Sequence, residues 1–579
     1  MISQSSKVTR TGRYPAGQVT DESALERRRR LTHRALPLGA MALVALTIGL
    51  VCGSGFDSSG ERAAREFAVA WTRGDYRSMH ELLDAGARSR YPLKAFRAAY
   101  EDAAATATAT EVVAGEPDGS RDDRVRIPVR VNTRVFETID GEVLIATRGG
   151  DVRWRPNLVF PGLRVGERLE RETRAPERAT ILAADGAVLA EGAAERRSSP
   201  PEGVGSLIAG SLGVSADPAE RKRLVARGFD ADTPIGANGL ERVFQARVEG
   251  EPGGVLRAGE REIARSEARA AAPVRSTIAP DLQAAADAAL AGRLGGIAVL
   301  DPRTARIRAL AGIAFSAPQP PGSTFKLVTT AAALEEKLVK PSDDFPVESE
   351  ATIDGVALQN ANGELCGGSF TDSFAQSCNS VFAPLGVEIG GERLVEEAEA
   401  FGWNAPASIP GEAPSTLPRE EGITTPLEVG SSAIGQGKVL ATPLRMASVA
   451  QAIANDGVLV EPTLTAGSEP VSERVTPAAV ARTIGKLMVA VVEYGTGPLA
   501  AVPGVQVAGK TGTAELEDTR GPTADGLGPD PSNTDAWFTS YAPAKDPRIV
   551  VAVLLVRNGA GGATAAPAAQ QVLAAALDR

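Results

Sequence analysis

PGSTFK, residues 321–326, opens the stretch STFKLVTTAAALEE (323–336), whose apolar spacing is helical. Pro321 and Gly322 close an irregular segment, so Ser323 stands at the helix start and Lys326, three residues on, shares its face. A lysine desolvated in a cleft, or set beside a second cation, has a lowered pKa and takes a serine proton as a neutral amine. The helix N-terminus adds N–H groups and a positive dipole end next to the oxyanion that serine attack would create. Taken alone, S-x-x-K is more often a capping serine followed by a solvated lysine, so the rest of the chain has to decide.

Two exclusions come first. The chain has two histidines, His33 and His80, so a Ser-His-Asp triad and a histidine-ligated zinc site are ruled out of residues 81–579. A net charge of −10 with pI near 5.2 argues against nucleic acid as a partner, because phosphate binding needs a basic face. Working outward from Ser323, Ser377-Cys378-Asn379 offers a hydroxyl and an amide two positions apart, suited to relaying a proton and holding a substrate amide. Lys510-Thr511-Gly512-Thr513 follows the strand-like VQVAG (505–509). A strand bearing Lys510, Thr511 and Thr513, with no side chain at Gly512, can pair edge-on with an extended peptide and hold its carboxylate. S-x-x-K, S-x-N and K-T-G each occur once, in that order. Their conjunction carries the weight that none has singly.

The chain of 579 residues reads as multidomain α+β. Residues 1–34 are a polar, Arg-rich cytoplasmic tail expected to be disordered. Residues 35–53 (ALPLGAMALVALTIGLVCG) are uncharged and long enough for a transmembrane anchor, with Arg27 to Arg30 and Arg34 before it to hold the N-terminus inside. A single-pass cell-membrane protein with an extracytoplasmic catalytic region is the expectation. Residues 58–163 begin with three helices and continue in strands, VRIPVRVNTRVF and EVLIATRGGDVRWR, as a small α+β domain. Residues 164–275 form an elongated mixed domain with a break at RRSSPPEGVG (196–205). Residues 276–579 read as an antiparallel sheet flanked by helices, with strands in GGIAVL, RIRALAGI, DAWFTSYAP and RIVVAVLLV and a last helix in PAAQQVLAAAL.

PGSTFKLVT, SCNSVF, AIGQGKVLATPLRMA, IANDGVLVEP and AGKTGTAE together resemble the β-lactamase/transpeptidase-like domain of class B penicillin-binding proteins, over residues 276–579. GLERVFQARVEGEPGG (239–254) and RAPERATILAADGAVLAEG (174–192) resemble that class's pedestal domain, a dimerisation-type module. Residues 58–163 resemble the NTF2-like domain of the low-affinity, resistance-type subgroup. The resemblance implies Ser323 as nucleophile, Lys326 as its base, Ser377 and Asn379 as proton relay and substrate-amide contact, and Lys510 as support of the proton network. It implies that Thr511 and Thr513 hold the terminal carboxylate beside Gly512, that the N–H groups of Ser323 and Thr513 form the oxyanion hole, and that Gln436 lines the cleft floor between Gly435 and Gly437. Ala179, Ala305 and Asp535 depart from the family's usual residues, which bears on local turns only.

The implied function is peptidoglycan D,D-transpeptidation on D-Ala-D-Ala stem peptides, with β-lactams as covalent inhibitors, no metal or cofactor, and a cell-wall synthesis complex with a glycosyltransferase as partner. D,D-carboxypeptidase and β-lactamase activity are the enzymatic alternatives, and a β-lactam sensor or divisome scaffold is the non-enzymatic one. Cys366 and Cys378, in an external compartment, are read either as a disulfide or as two buried free thiols.

Overall fold

The structure is a computed structural model that describes residues 58–121, 123–199, 204–419, 422–516 and 533–578. The expected tail and membrane anchor, residues 1–53, lie outside them. Among the described residues no helix is long and apolar enough to cross a membrane. The described chain divides into two compact units: residues 58–93 with Ala114–Pro128 and Leu144–Trp154, and Lys94–Val113 with Val129–Val143 and 155–578.

The first unit starts with α1 (Ser59–Thr72), entered through a capping box in which the Ser58 hydroxyl accepts from the Glu61 N–H and the Glu61 carboxylate accepts from the Ser58 N–H. One stripe of α1, including Ala64, Phe67, Ala68 and Trp71, is buried. Asp75 and Asp84 cap two further short helices; with α2 (Leu93–Ala107), which apart from Leu93 belongs to the second unit, residues 58–107 hold four helices where the sequence pattern indicated three. Asp84 breaks what would otherwise read as one continuous segment. In β1 (Arg124–Thr133) the period-2 alternation holds: Val125, Ile127, Val129 and Val131 are buried and the residues between them, through Arg130, are exposed.

In the second unit, residues 169–266 include an antiparallel sheet in which β4 (Gly253–Ala258) lies between β3 (Leu169–Arg174) and β5 (Arg261–Ser266). Nearby, buried Glu241 accepts from Arg178 and Arg197, each at 2.6 Å. Removing one partner of such a triad would leave an uncompensated buried charge.

The remainder is built on a five-stranded antiparallel sheet. Its order is β7 (Ile307–Gly312), β6 (Gly295–Leu300), β12 (Ile549–Leu555), β11 (Thr534–Ala542) and β10 (Ala508–Glu515). All of β12 is buried, which explains why IVVAVLL reads as an unbroken apolar run. On one face Ile297, Val299, Val551 and Val553 pack with residues of α3 (Pro280–Leu290) and α11 (Gly561–Leu577). On the other, Ala298, Ala552, Leu554 and Trp537 pack with α4 (Lys326–Glu335), α9 (Pro443–Ala454) and α10 (Ala478–Glu493). The last helix starts at Gly561, earlier than the sequence pattern placed it, and carries Pro567 inside it. Strand β10 is an edge of the sheet, so one side of the K-T-G strand is left open next to the helices that carry the other two motifs.

Candidate active site

Ser323 lies in a 3-10 turn, Gly322–Phe325, that runs directly into α4, so Lys326 opens the α-helix and Ser323 sits one turn ahead of it. The turn is held by close backbone packing. Gly322 has φ +50°, its N–H donates to the Gly435 carbonyl at 2.9 Å, and a Cβ on it would lie 2.9 Å from the Thr513 carbonyl oxygen. A Cβ on Gly512 would lie 2.7 Å from the Pro321 carbonyl oxygen, and one on Gly435 would lie 2.0 Å from that of Gly322. Glycine is needed at these positions because backbone meets backbone there. The result sets Ser323 beside Thr513, so the two N–H groups assigned to the oxyanion hole stand on adjoining segments.

The second motif follows α5 (Phe370–Ala375) and begins α6 (Asn379–Ile389). Ser377 bridges them in the left-handed region at φ +63°, a conformation that costs a non-glycine residue about 1 to 2 kcal/mol. That turn is tied to both amines. Lys326 Nζ donates to the Ser377 carbonyl and to Asn379 Oδ1, each at 2.7 Å, and lies 3.3 Å from Ser377 Oγ. Lys510 Nζ lies 2.8 Å from the same Ser377 Oγ and 3.1 Å from the Thr511 carbonyl. The Ser323 hydroxyl has no hydrogen-bond partner among the described residues, so the amine that its sequence spacing assigns to it is engaged chiefly by the second motif. A neutral amine has two protons and one lone pair. The two short bonds, to acceptor-only oxygens, use both protons and leave the lone pair to receive the proton of a nucleophile.

Both amines are fully buried, and among the described residues neither has a carboxylate partner. Burial, and then the charge of Lys510, hold the Lys326 ammonium well below the usual lysine pKa, and burial brings Lys510 down to about 7. Lys326 Nζ lies 5.1 Å from the centroid of the Phe382 ring and Lys510 Nζ 5.7 Å from that of Phe374. These rings exclude water and favour whichever amine carries the proton.

Asn379 Nδ2 donates to the Gln359 carbonyl at 2.6 Å, leaving one amide hydrogen for a ligand. A disulfide joins Cys366, in β9 (Cys366–Ser369, paired with β8, Asp344–Glu348), to Cys378 inside the motif, with Cα atoms 5.4 Å apart. Thr511 and Thr513 lie on one face of β10. Thr511 Oγ1 is 2.5 Å from Thr496 Oγ1, and Thr513 Oγ1 accepts from the Gly561 N–H at the start of α11 at 3.2 Å. Gln436 is partly buried, and its side chain makes no hydrogen bond among the described residues; its flanking Gly435 contributes through the backbone. Asp535 is buried, with its carboxyl pushed up by burial, and accepts from the Arg557 N–H at 2.9 Å, which braces the turn after β12.

Phe374, Phe382, Thr496 and Gly561 are residues that motif reading missed. The two rings look like ordinary core positions in sequence. For Thr496 the signal was the glycine pair around it in YGTGP (494–498), since a Cβ on Gly495 would lie 2.3 Å from the Ala375 carbonyl oxygen.

A serine at a helix start, two buried amines sharing a second serine, and an open strand edge form a constellation suited to serine acylation. Residues 295–574 match the penicillin binding protein transpeptidase domain, and residues 59–167 match the NTF2-like N-terminal transpeptidase domain, so the chain carries both. It is similar to the peptidoglycan D,D-transpeptidase PbpA of Mycolicibacterium smegmatis, 38% identical over 295 residues covering 46% of this chain and 56% of that relative. The chain thus matches about half the length of that curated relative. Among solved structures it resembles the D,D-transpeptidase domain of a peptidoglycan glycosyltransferase from Eggerthella lenta, at 29% identity and TM-score 0.56 over 70% of this chain and 98% of that one. It also resembles the penicillin G acyl-enzyme complex of penicillin-binding protein A from M. tuberculosis, at 25% identity and TM-score 0.56 over 69% of this chain and all of that one.

Proposed function

We propose that this protein is a peptidoglycan D,D-transpeptidase that works through a Ser323 acyl-enzyme and is inhibited covalently by β-lactams. The observation that carries the reading is the pair of buried amines, Lys326 and Lys510, meeting at Ser377 Oγ with no carboxylate partner among the described residues. Ser323 Oγ attacks the penultimate D-Ala carbonyl carbon of a donor stem peptide while its proton passes to Lys326 Nζ. The developing oxyanion is met by the Ser323 and Thr513 N–H groups. The C–N bond to the terminal D-Ala breaks, and the leaving nitrogen takes a proton through Ser377, replenished from Lys510. An amine of a second stem peptide then attacks the ester, and its proton returns through the same groups to Ser323 Oγ. The donor strand adds to the open edge of β10, with Asn379 at its amide and Thr511 and Thr513 at its carboxylate. A β-lactam enters as the donor does, and its ring nitrogen stays attached after the C–N bond opens. Similarity to a relative named for D,D-transpeptidation and to a penicillin G acyl-enzyme supports this reading.

Residues 35–53 serve as an uncleaved anchor, 164–275 as a pedestal, and the catalytic region works outside the membrane beside a glycosyltransferase of a cell-wall synthesis complex. These assignments rest on the uncharged run behind its arginines and on the motifs of 174–192 and 239–254. The test is to incubate the full-length protein with fluorescent penicillin, then with a thioester donor and a D-amino acid acceptor. Stable label on wild type, none on Ser323→Ala, and acceptor-dependent product are expected. Label of equal strength on Ser323→Ala would sink the assignment, and rapid loss of label would turn it to a β-lactamase.

A further inference from the structure

Thr496 lies just after α10, outside all three motifs, where three parts of the site converge. Its N–H donates to the Ala375 carbonyl at 3.1 Å, the end of the helix that leads into Ser377. Its hydroxyl lies 2.5 Å from Thr511 Oγ1 and 3.3 Å from the same Ala375 carbonyl. A Cβ on Gly562, at the start of α11, would lie 2.2 Å from the Thr496 carbonyl oxygen and 3.7 Å from Thr511 Cγ2. Thr496 is therefore clamped on three sides, and the direction of its single hydroxyl proton has a consequence in the cleft.

Two arrangements are open to the pair. If Thr496 donates to Ala375, Thr511 must donate to Thr496, and Thr511 then shows only lone pairs to a ligand. If Thr496 donates to Thr511, the Thr511 proton is left for an anion. Without a ligand the first arrangement satisfies both hydroxyl contacts, at 3.3 Å to Ala375 and 2.5 Å to Thr511; because the Ala375 carbonyl already receives the Thr496 N–H, giving up the longer contact for the second arrangement costs little. A carboxylate in the cleft selects the second arrangement, since it accepts only and strengthens the chain of hydroxyls leading to it. We propose that Thr496 is a positioning residue for donor recognition: when the donor binds, its hydroxyl turns from the Ala375 carbonyl to donate to Thr511 Oγ1 and so directs the Thr511 proton onto the terminal carboxylate of the donor peptide, or onto the matching carboxylate of a β-lactam. The inference rests on the transpeptidase reading above and adds to it a residue that selects free-acid donors.

The experiment compares acylation of the full-length protein by penicillin G with acylation by its methyl ester, which keeps the reactive ring and removes the anion. In wild type the acid should react faster than the ester. Thr496→Val, nearly isosteric but without the hydroxyl, should slow the acid about tenfold while slowing the ester no more than about twofold. Thr496→Ser should restore the acid preference. Thr511→Val should lose it, and adding Thr496→Val to Thr511→Val should cost the acid nothing further, because one residue acts through the other. An equal fall for acid and ester in Thr496→Val, or an additive double variant, would reduce Thr496 to a packing role and overturn the proposal. Failure of the transpeptidase reading looks different: wild type would show no acylation at Ser323 by either compound.

Discussion

Two ammonium groups cannot share the Ser377 hydroxyl in a water-poor site without a counter-charge, so near neutral pH the Lys326 and Lys510 pair holds at most one proton. With Lys510 at about 7 and Lys326 pushed down by burial and by Lys510, the proton resides on Lys510 and Lys326 is the base. Acylation by penicillin should therefore rise with pH as Lys326 loses its proton and fall again above about 7, as Lys510 loses the proton that replenishes Ser377. Replacing Lys510 by Gln removes the charge that depresses Lys326, so the Lys326 pKa rises and the acid limb of the profile moves to higher pH. Rates of fluorescent-penicillin labelling between about pH 5 and pH 9 would reveal the shift; an acid limb that stays put or moves down would mean the amines are not coupled. Lys326→Gln should slow labelling about a thousandfold, the middle of the range for loss of a general base.

At the scale of elements, the site depends on how α4, the Ser377 turn and β10 are held against one another. The disulfide closes a loop of 12 residues onto the turn, and a closed loop of this size stabilises its surroundings by on the order of 3 kcal/mol. Replacing Cys366 and Cys378 together by Ser should lower the melting temperature and slow labelling, because the Ser377 turn carries backbone strain that its neighbours must hold. Gly435→Ala should slow labelling without touching a catalytic side chain, since its Cβ would push the Gly322 carbonyl and the Phe325 Cβ, and Ser323 between them. A third effect lies at the far end of α4. Glu397, on α7 (Gly391–Ala400), accepts from Arg393 at 2.7 Å, and its pKa is raised to about 7 by burial and then by Glu335. A carboxyl that binds its proton more tightly folded than unfolded stabilises the fold below its unfolded pKa, and that contribution is lost as pH climbs through about 7. Glu397→Gln should thus flatten the decline in stability between about pH 5 and pH 8, an effect of up to about 3 kcal/mol, readable in urea unfolding at the two pH values. Much of this level could be read in the sequence where periodicity was strong: the apolar run of β12, the alternation of β1 and the helix after Ser323 all follow from local pattern. Contacts between distant segments were not legible. Nothing in STFK says that Lys326 bonds to Ser377 and Asn379 while Ser323 stays free, and nothing near KTG announces Thr496, because both depend on which loops the sheet order brings together.

For the whole molecule, the chemistry and the N-terminal sequence make one joint demand. On the proposed function, a peptide cross-linking site is useful only where the polymer lies, and the anchor proposed for residues 35–53, uncharged and preceded by five arginines, would hold the chain at the outer face of a membrane. The alternative, a cleaved leader, predicts a mature chain that starts beyond this run and washes off membranes. The two differ in a fractionation experiment in a bacterial host. With an uncleaved anchor, the full-length protein stays with membranes through an alkaline carbonate wash, leaves them only in detergent, and yields peptides from residues 1–34 in mass spectrometry. A variant lacking residues 1–53 should move to the soluble fraction and still take fluorescent penicillin on Ser323, because among the described residues the groups placed around the nucleophile lie within 321–562. Soluble wild type with an N-terminus after residue 53 would replace the anchor by a leader and leave the acylation chemistry as it is.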